Sequence, residues 1–123
     1  MRKPAKTYRD LLVWQKAVEA AGRIYRITKG FPRAELYGLT AQLRRCAVSI
    51  PSNIAEGFGR RGQSEFLRFL HISRGSIFEL ETQMLIALNV GLMQEDTYGD
   101  LAAAYDEVER MLESLIRKVR AKR

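Results

Sequence analysis

The run Ser49-Ile50-Pro51-Ser52-Asn53-Ile54-Ala55-Glu56-Gly57-Phe58-Gly59-Arg60-Arg61-Gly62 closes on G-x-G-x-x-G, the glycine spacing that cradles a dinucleotide pyrophosphate. That chemistry needs a buried strand before the glycines and a helix opening behind them. It also needs an acidic side chain about 20 residues on, to hold the ribose. The residues before Gly57 have helical spacing, no β-rich run lies nearby, and Glu79 and Glu81, although suitably distant, fall on a helix. The glycines therefore read as the end of one helix and the start of the next, since Gly takes the left-handed backbone cheaply.

No other group assembles into a catalytic constellation. His71 is the single histidine, set on a helix between Leu70 and Ile72, and it reads as a packed or solvated side chain. Cys46 follows Arg44 and Arg45, which would lower its pKa, but it has no base partner in sequence and reads as a small buried helical residue. Glu79 and Glu81 are two apart and point to different faces of a helix, which argues against a shared metal, and Asp106 and Glu107 face solvent by pattern. The sequence thus predicts no enzyme, no metal site and no cofactor. One cysteine permits no internal disulfide, and no run of 18 apolar residues offers a membrane span, so the expectation is a cytoplasmic protein without a membrane partner.

What remains is charge. The 123 residues carry a formal net charge of +7, unevenly spread. Residues 94–116 hold seven acids against one base, Arg110, whereas residues 1–93 are strongly basic and residues 117–123 contain five bases. Such asymmetry implies an oriented surface rather than uniform solubilising charge. The candidate polyanion-binding residues are Arg60 and Arg61, in a glycine-rich link before a helix N-terminus; Arg44 and Arg45 on the preceding helix; and Arg117, Lys118 and Arg120. Arg2, Lys3 and Lys6 add a basic N-terminal arm, and Lys122 and Arg123 extend the tail.

The elements that must position these residues are helical. Apolar spacing predicts four helices, at about 10–29, 35–57, 64–90 and 95–121, within one domain spanning 1–123. Asp10 and Ser64 are the expected N-caps of the first and third, and Gly30-Phe31-Pro32 and Asn89-Val90-Gly91 the stops of the first and third. The first helix should bury Trp14, Ala17, Val18, Ala21, Ile24, Tyr25 and Thr28, and the second Leu36, Leu39, Leu43, Ala47, Ile50 and Ile54. Pro51 predicts a kink or break near Ala47–Pro51, with Ser49, Ser52, Asn53 and Glu56 satisfying freed backbone groups or forming a polar subunit contact or ligand notch. In the third helix Phe66, Leu70, Ile77, Leu80, Met84 and Leu88 make one stripe, and Leu67, Phe69, Ile72, Phe78, Leu85 and Ile86 widen it beyond the needs of a lone bundle. The fourth has the seam Leu101, Tyr105, Val108, Leu112, Leu115, Val119, with Asp106–Arg110 and Glu113–Arg117 pairs opposite. Short connections make this all-α chain an antiparallel up-down-up-down four-helix bundle.

Several segments carry a resemblance: Leu12-Val13-Trp14-Gln15-Lys16-Ala17, Phe31-Pro32 with Glu35-Leu36-Tyr37-Gly38-Leu39, the Ser49–Gly62 run, Glu65-Phe66-Leu67-Arg68-Phe69-Leu70, and Gly75-Ser76-Ile77-Phe78-Glu79-Leu80-Glu81. Together they resemble the 23S rRNA intervening-sequence protein family of small bacterial four-helix bundles. The resemblance implies assembly into a homopentameric ring and a role with structured RNA. A related accessory protein of diversity-generating retroelements works beside a reverse transcriptase. The residues and the resemblance together predict a non-enzymatic, homo-oligomeric protein that binds nucleic acid, structured RNA above all, through backbone charge. The alternative is a protein-interaction scaffold, such as an accessory subunit for a reverse transcriptase.

Overall fold

The computed structural model describes residues 4–122, so Arg2, Lys3 and Arg123 of the basic ends lie outside the described residues. Four helices, α1 (Leu12–Thr28), α2 (Leu39–Phe58), α3 (Gln63–Asn89) and α4 (Glu95–Ala121), are accompanied by 3-10 turns at Tyr8–Asp10 and Arg33–Glu35. Among the described residues there is no strand. α1 packs on α2, α2 on α3, α3 on α4 and α4 back on α1, without a diagonal pair among the described residues. Short links make consecutive helices antiparallel and close them into a bundle.

Each helix boundary has a local cause. Asp10 does not cap α1; its carboxylate turns back to accept the N–H groups of Lys6 and Thr7, forming a capping box on the Tyr8–Asp10 turn. α1 therefore opens at Leu12. α2 opens at Leu39, because the Arg33–Glu35 turn is followed by Gly38 in a non-helical conformation, and Glu35 Oε1 accepts the Leu39 N–H. Ser64 lies inside α3, whose cap is Gly62 at φ +92°, a backbone only glycine adopts without strain. At the far end of α3, Gly91 at φ +81° closes a Schellman turn, with Leu92 N–H donating to Ala87 O and Gly91 N–H to Leu88 O.

The core is built from Ile24 of α1, Leu43, Ile50 and Ile54 of α2, Leu70, Ile77, Leu80 and Met84 of α3, and Leu101, Tyr105, Leu112 and Ile116 of α4. In α4 the buried seam passes through Ile116, while Leu115 is half-buried, because a straight helix drifts ahead of a strict seven-residue repeat. In α1 the buried positions are Val13, Ala17, Ala20, Ile24 and Thr28; Val18 and Tyr25 are exposed, and Trp14 and Ala21 are half-buried. Leu36 is also exposed, since it precedes the helix that its spacing implies.

α2 continues without interruption through Pro51, and α2 and α3 form the most extensive helix pair. Small and hydroxylated residues let them approach. Ser49 Oγ lies 2.9 Å from Ser76 Oγ, and Ser73 Oγ donates to Ile50 O at 2.9 Å. Asn53 Nδ2 donates to Ser49 O at 2.8 Å and to Ser49 Oγ at 3.0 Å. These bonds go to Ser49 and Ile50 rather than to the Ala47 carbonyl that Pro51 leaves without its N–H partner. The polar residues thus join two helices of one chain, while Ser52 and Glu56 stay exposed. Farther along, a Cβ on Gly57 would stand 2.6 Å from Phe69 Cβ and 3.3 Å from the Phe66 carbonyl oxygen. Gly57 is required by this close approach and not by a left-handed backbone.

Two glycines on these helices should respond oppositely to alanine. Gly57→Ala forces α2 from α3 and is expected to cost about 1–3 kcal/mol. Gly75→Ala meets nothing within 4 Å, and gains about 0.5–1 kcal/mol of helix preference. Urea midpoints check both; a Gly57→Ala protein as stable as the parent would remove the close crossing as a determinant of the fold.

Candidate nucleic-acid interface

Helix direction sorts the arginines and lysines. The C-terminus of α2, the N-terminus of α3, the C-terminus of α4 and the segment leading into α1 share one end of the bundle. The join is direct: Gln63 Nε2 donates to Val119 O and Arg120 O, tying the start of α3 to the last turn of α4. Arg60 and Arg61 in the link therefore share this end of the bundle with Arg117, Lys118, Arg120 and Lys122. All are exposed.

Arg60 is held in place. Its Nη2 meets Glu56 Oε2 at 2.7 Å, and its guanidinium lies 5.2 Å from the centre of the Phe69 ring. Arg68 sits 4.5 Å from the same ring and bonds Glu65 at 3.0 Å, holding that carboxyl below its ordinary value. Arg61, Arg117, Lys118 and Lys122 have no ion pair among the described residues. Gly62 provides no side-chain cap, so the first amides of α3 add their partial positive charge beside Arg60 and Arg61. Arg120 Nη2 lies 3.4 Å from His71 Nε2. Arg68 escapes the sequence reading because Glu65 three residues earlier makes it look like a local surface pair. The signal was its place seven residues, about two helical turns, past Arg61.

Arg44 and Arg45 do not join this cluster. They lie about 20 Å of helix away from the end of α2. Arg44 Nε donates to Thr28 Oγ1 at 2.9 Å and its guanidinium stacks 4.7 Å from the Tyr25 ring, which fastens α2 to the end of α1. Arg45 is exposed and borders a polar groove lined by Gln42, Cys46, Ser49, Ser76, Glu79 and Gln83.

Burial pushes the Cys46 thiol up, with Glu79 adding to the effect, and outweighs Arg45. The expected lowering by neighbouring arginines is therefore reversed. Glu79 faces α2 whereas Glu81 faces α4, where carboxylate oxygens of Glu81, Asp106 and Glu109 lie within 4.8 Å of one another. Burial, then Glu109 and Asp106, raises Glu81. On α4 the expected Asp106–Arg110 and Glu113–Arg117 pairs do not form. Glu113 reaches across to Arg74 Nη1 at 2.8 Å, and Glu107 lies 3.9 Å from Lys16 Nζ. For Glu113 the cation of the neighbouring helix is taken in preference to the one along α4, whereas Asp106 stands among the carboxylates of Glu81 and Glu109.

This architecture, an antiparallel four-helix bundle, has known counterparts. The family described as 23S rRNA-intervening sequence protein matches residues 9–114, and the chain belongs to that family. A similar fold occurs in the 1.70 Å crystal structure of a protein with unknown function from the S23 ribosomal protein family of Bacteroides thetaiotaomicron VPI-5482. The two share 22% identity and a TM-score of 0.81, over 86% of this chain and 96% of that one. At that identity the likeness speaks for the fold alone. No curated protein matches the chain. No helix among the described residues is long and apolar enough to cross a membrane.

The Arg74–Glu113 contact carries a pH dependence. The Arg74 hydrogen bond holds the Glu113 carboxyl below its ordinary value of 4.5. Its stabilisation is therefore full above 4.5 and lost as pH falls through the lower folded-state value. Both side chains are about a third exposed, so the contribution is a few tenths of a kcal/mol. The stability difference between parent and Glu113→Gln, followed by urea unfolding, is expected at neutral pH and should vanish in strong acid. A difference that persists in acid would assign the effect to packing.

Proposed function

We propose that this chain is a non-enzymatic, homo-oligomeric protein of the cytoplasm that binds nucleic acid, structured RNA above all, through phosphate-backbone contacts. The observation that carries this reading is the convergence of Arg60, Arg61, Arg117, Lys118 and Arg120 on one end of the bundle, from a loop and a helix far apart in sequence. Phosphate neutralisation by such a cluster releases counterions and gives steep salt dependence with little base reading. Membership of a family named for an rRNA intervening sequence supports RNA over DNA as the partner.

Assembly fits the same reading. Ile72, Phe78, Leu85 and Ile86 of α3 are 39–47% exposed, a large apolar share for one helix face. We place the contact between copies on this stripe, in the ring of five that the resemblance implies. Each copy then repeats the basic end, so individually weak phosphate contacts add as avidity. A second reading is a scaffold for a basic protein partner such as a reverse transcriptase. It draws on the acidic face of α4, where Asp106 and Glu109 stand with Glu81 of α3 as three neighbouring carboxylates.

Titration of the native protein with a structured RNA, a single strand and a DNA duplex over a salt series separates these readings. Affinity for structured RNA should fall steeply with salt. Arg60→Ala with Arg61→Ala should weaken binding and reduce the salt slope by about one for each phosphate no longer neutralised. Arg44→Ala should lower stability and leave the slope intact. Weak binding at low salt would put the scaffold first.

Phe78→Glu combined with Leu85→Glu should convert the oligomer to single chains in light scattering while retaining helical circular dichroism. A native protein already of single-chain mass would remove the ring.

A further inference from the structure

The basic end holds more than charge. An apolar groove of about 680 Å³ opens there, between the segment leading into α1, the Phe58 and Phe66 ends of α2 and α3, and the last turns of α4. Its volume lies within the roughly 300–1,000 Å³ of small-molecule sites. Leu11, Leu115, Phe58 and Phe66 line it, and Lys118 and Lys122 stand on its border. Phe58 and Phe66 are half-buried and pair edge to face, with ring centres 5.8 Å apart and planes at 88°. The acid on this border, Asp10, already accepts two backbone N–H groups, from Lys6 and Thr7. An occupant must therefore combine a flat or apolar body with an adjoining negative charge.

We infer that this groove receives one unpaired nucleobase of the bound nucleic acid, with its flanking phosphate on Lys118 and Lys122. The inference rests on the reading of the basic end as a nucleic-acid interface, and it specifies the target as a strand with a bulged or unstacked base. Bases splayed from RNA loops and bulges stack on aromatic side chains and need no hydrogen-bond readout to gain affinity. A fully paired duplex offers the lysines its phosphates but leaves the groove empty. The contact is sequence-tolerant, since every base presents a π-face and the groove is walled mainly by hydrocarbon.

Three RNAs test this on the native protein: an uninterrupted hairpin, the same hairpin with one unpaired adenine, and the same hairpin with an abasic site there. The abasic strand keeps the extra phosphate and the flexibility but lacks the base. The adenine bulge is expected to bind about tenfold more tightly than both others. 2-Aminopurine at the bulge should change its fluorescence on binding. Ser114→Trp, which fills the groove, should bring bulged and paired affinities together while thermal unfolding verifies the fold. Equal affinity for adenine and abasic bulges would overturn the groove assignment and leave the basic-end reading standing. No binding of any hairpin at low salt would sink both. Binding of oleate, run in parallel, without any advantage for the unpaired base would give the groove to an amphipathic carboxylate and overturn the assignment.

Discussion

The approach of α2 to α3 is the constraint on which the rest of the molecule depends. At Gly57 the two backbones pass so closely that a single methyl group would collide with Phe69. Toward the helix middles small side chains stand in place of large ones: the Ser49 and Ser76 hydroxyls meet, and the Ser73 hydroxyl donates to the Ile50 carbonyl. Close packing of this kind fixes the relative position of the helices over several turns, because neither can slide without leaving a buried hydroxyl unpaired. It also leaves room for only a four-residue link, Gly59 to Gly62. The position of Arg60 and Arg61 is thus dictated by helix packing and not by the link itself.

The same packing decides which cations are available. Two guanidinium groups along the helix shafts are drawn into contacts between helices: Arg44 onto Tyr25 and Thr28, Arg74 onto Glu113. Those at the ends of helices, where neighbouring elements stop, keep their charge in solvent. A C-terminal helix end favours cations through its own dipole, and α4 ends in Lys118, Arg120 and Lys122. α4 therefore carries its acids along the shaft and its bases at the tip, so the tip presents positive charge while the shaft pairs with Lys16 and Arg74.

Much of this was legible in the sequence, for identifiable reasons. Helical spacing located the core because Leu43, Ile50, Leu70, Ile77, Leu80, Leu101 and Leu112 recur with a period that only a buried face requires. The basic link stood out because two arginines between glycines have no packing role to suggest. The misreadings are equally physical. Asp10 and Ser64 have the side chains of caps, but a cap is defined by where the carboxylate or hydroxyl points, and Asp10 points backward. Ile116 displaced Leu115 because adjacent apolar residues leave the register undecided until a partner helix is in place. Arg44 resembled a surface cation because its partners, Thr28 and Tyr25, lie on another helix. The Gly57 requirement was invisible for the same reason, since a close approach is a property of two segments and a glycine in one sequence looks like a turn.

Charge and assembly are coupled on the reading proposed for this chain. Each copy brings a net charge of +7, and bringing copies together concentrates that charge at separations where salt screens only partly, the screening length being about 8 Å at physiological ionic strength. The apolar stripe on α3 must outweigh this repulsion, or an anion must relieve it. A polyanion bound across several basic ends would do so, and anything that binds the assembled form preferentially also stabilises it. By the reciprocity of linkage, assembly then tightens nucleic-acid binding by the same factor. The apolar face of α3 and the basic tip of α4 would act as two halves of one equilibrium, joined through the packed α3–α4 pair of each chain.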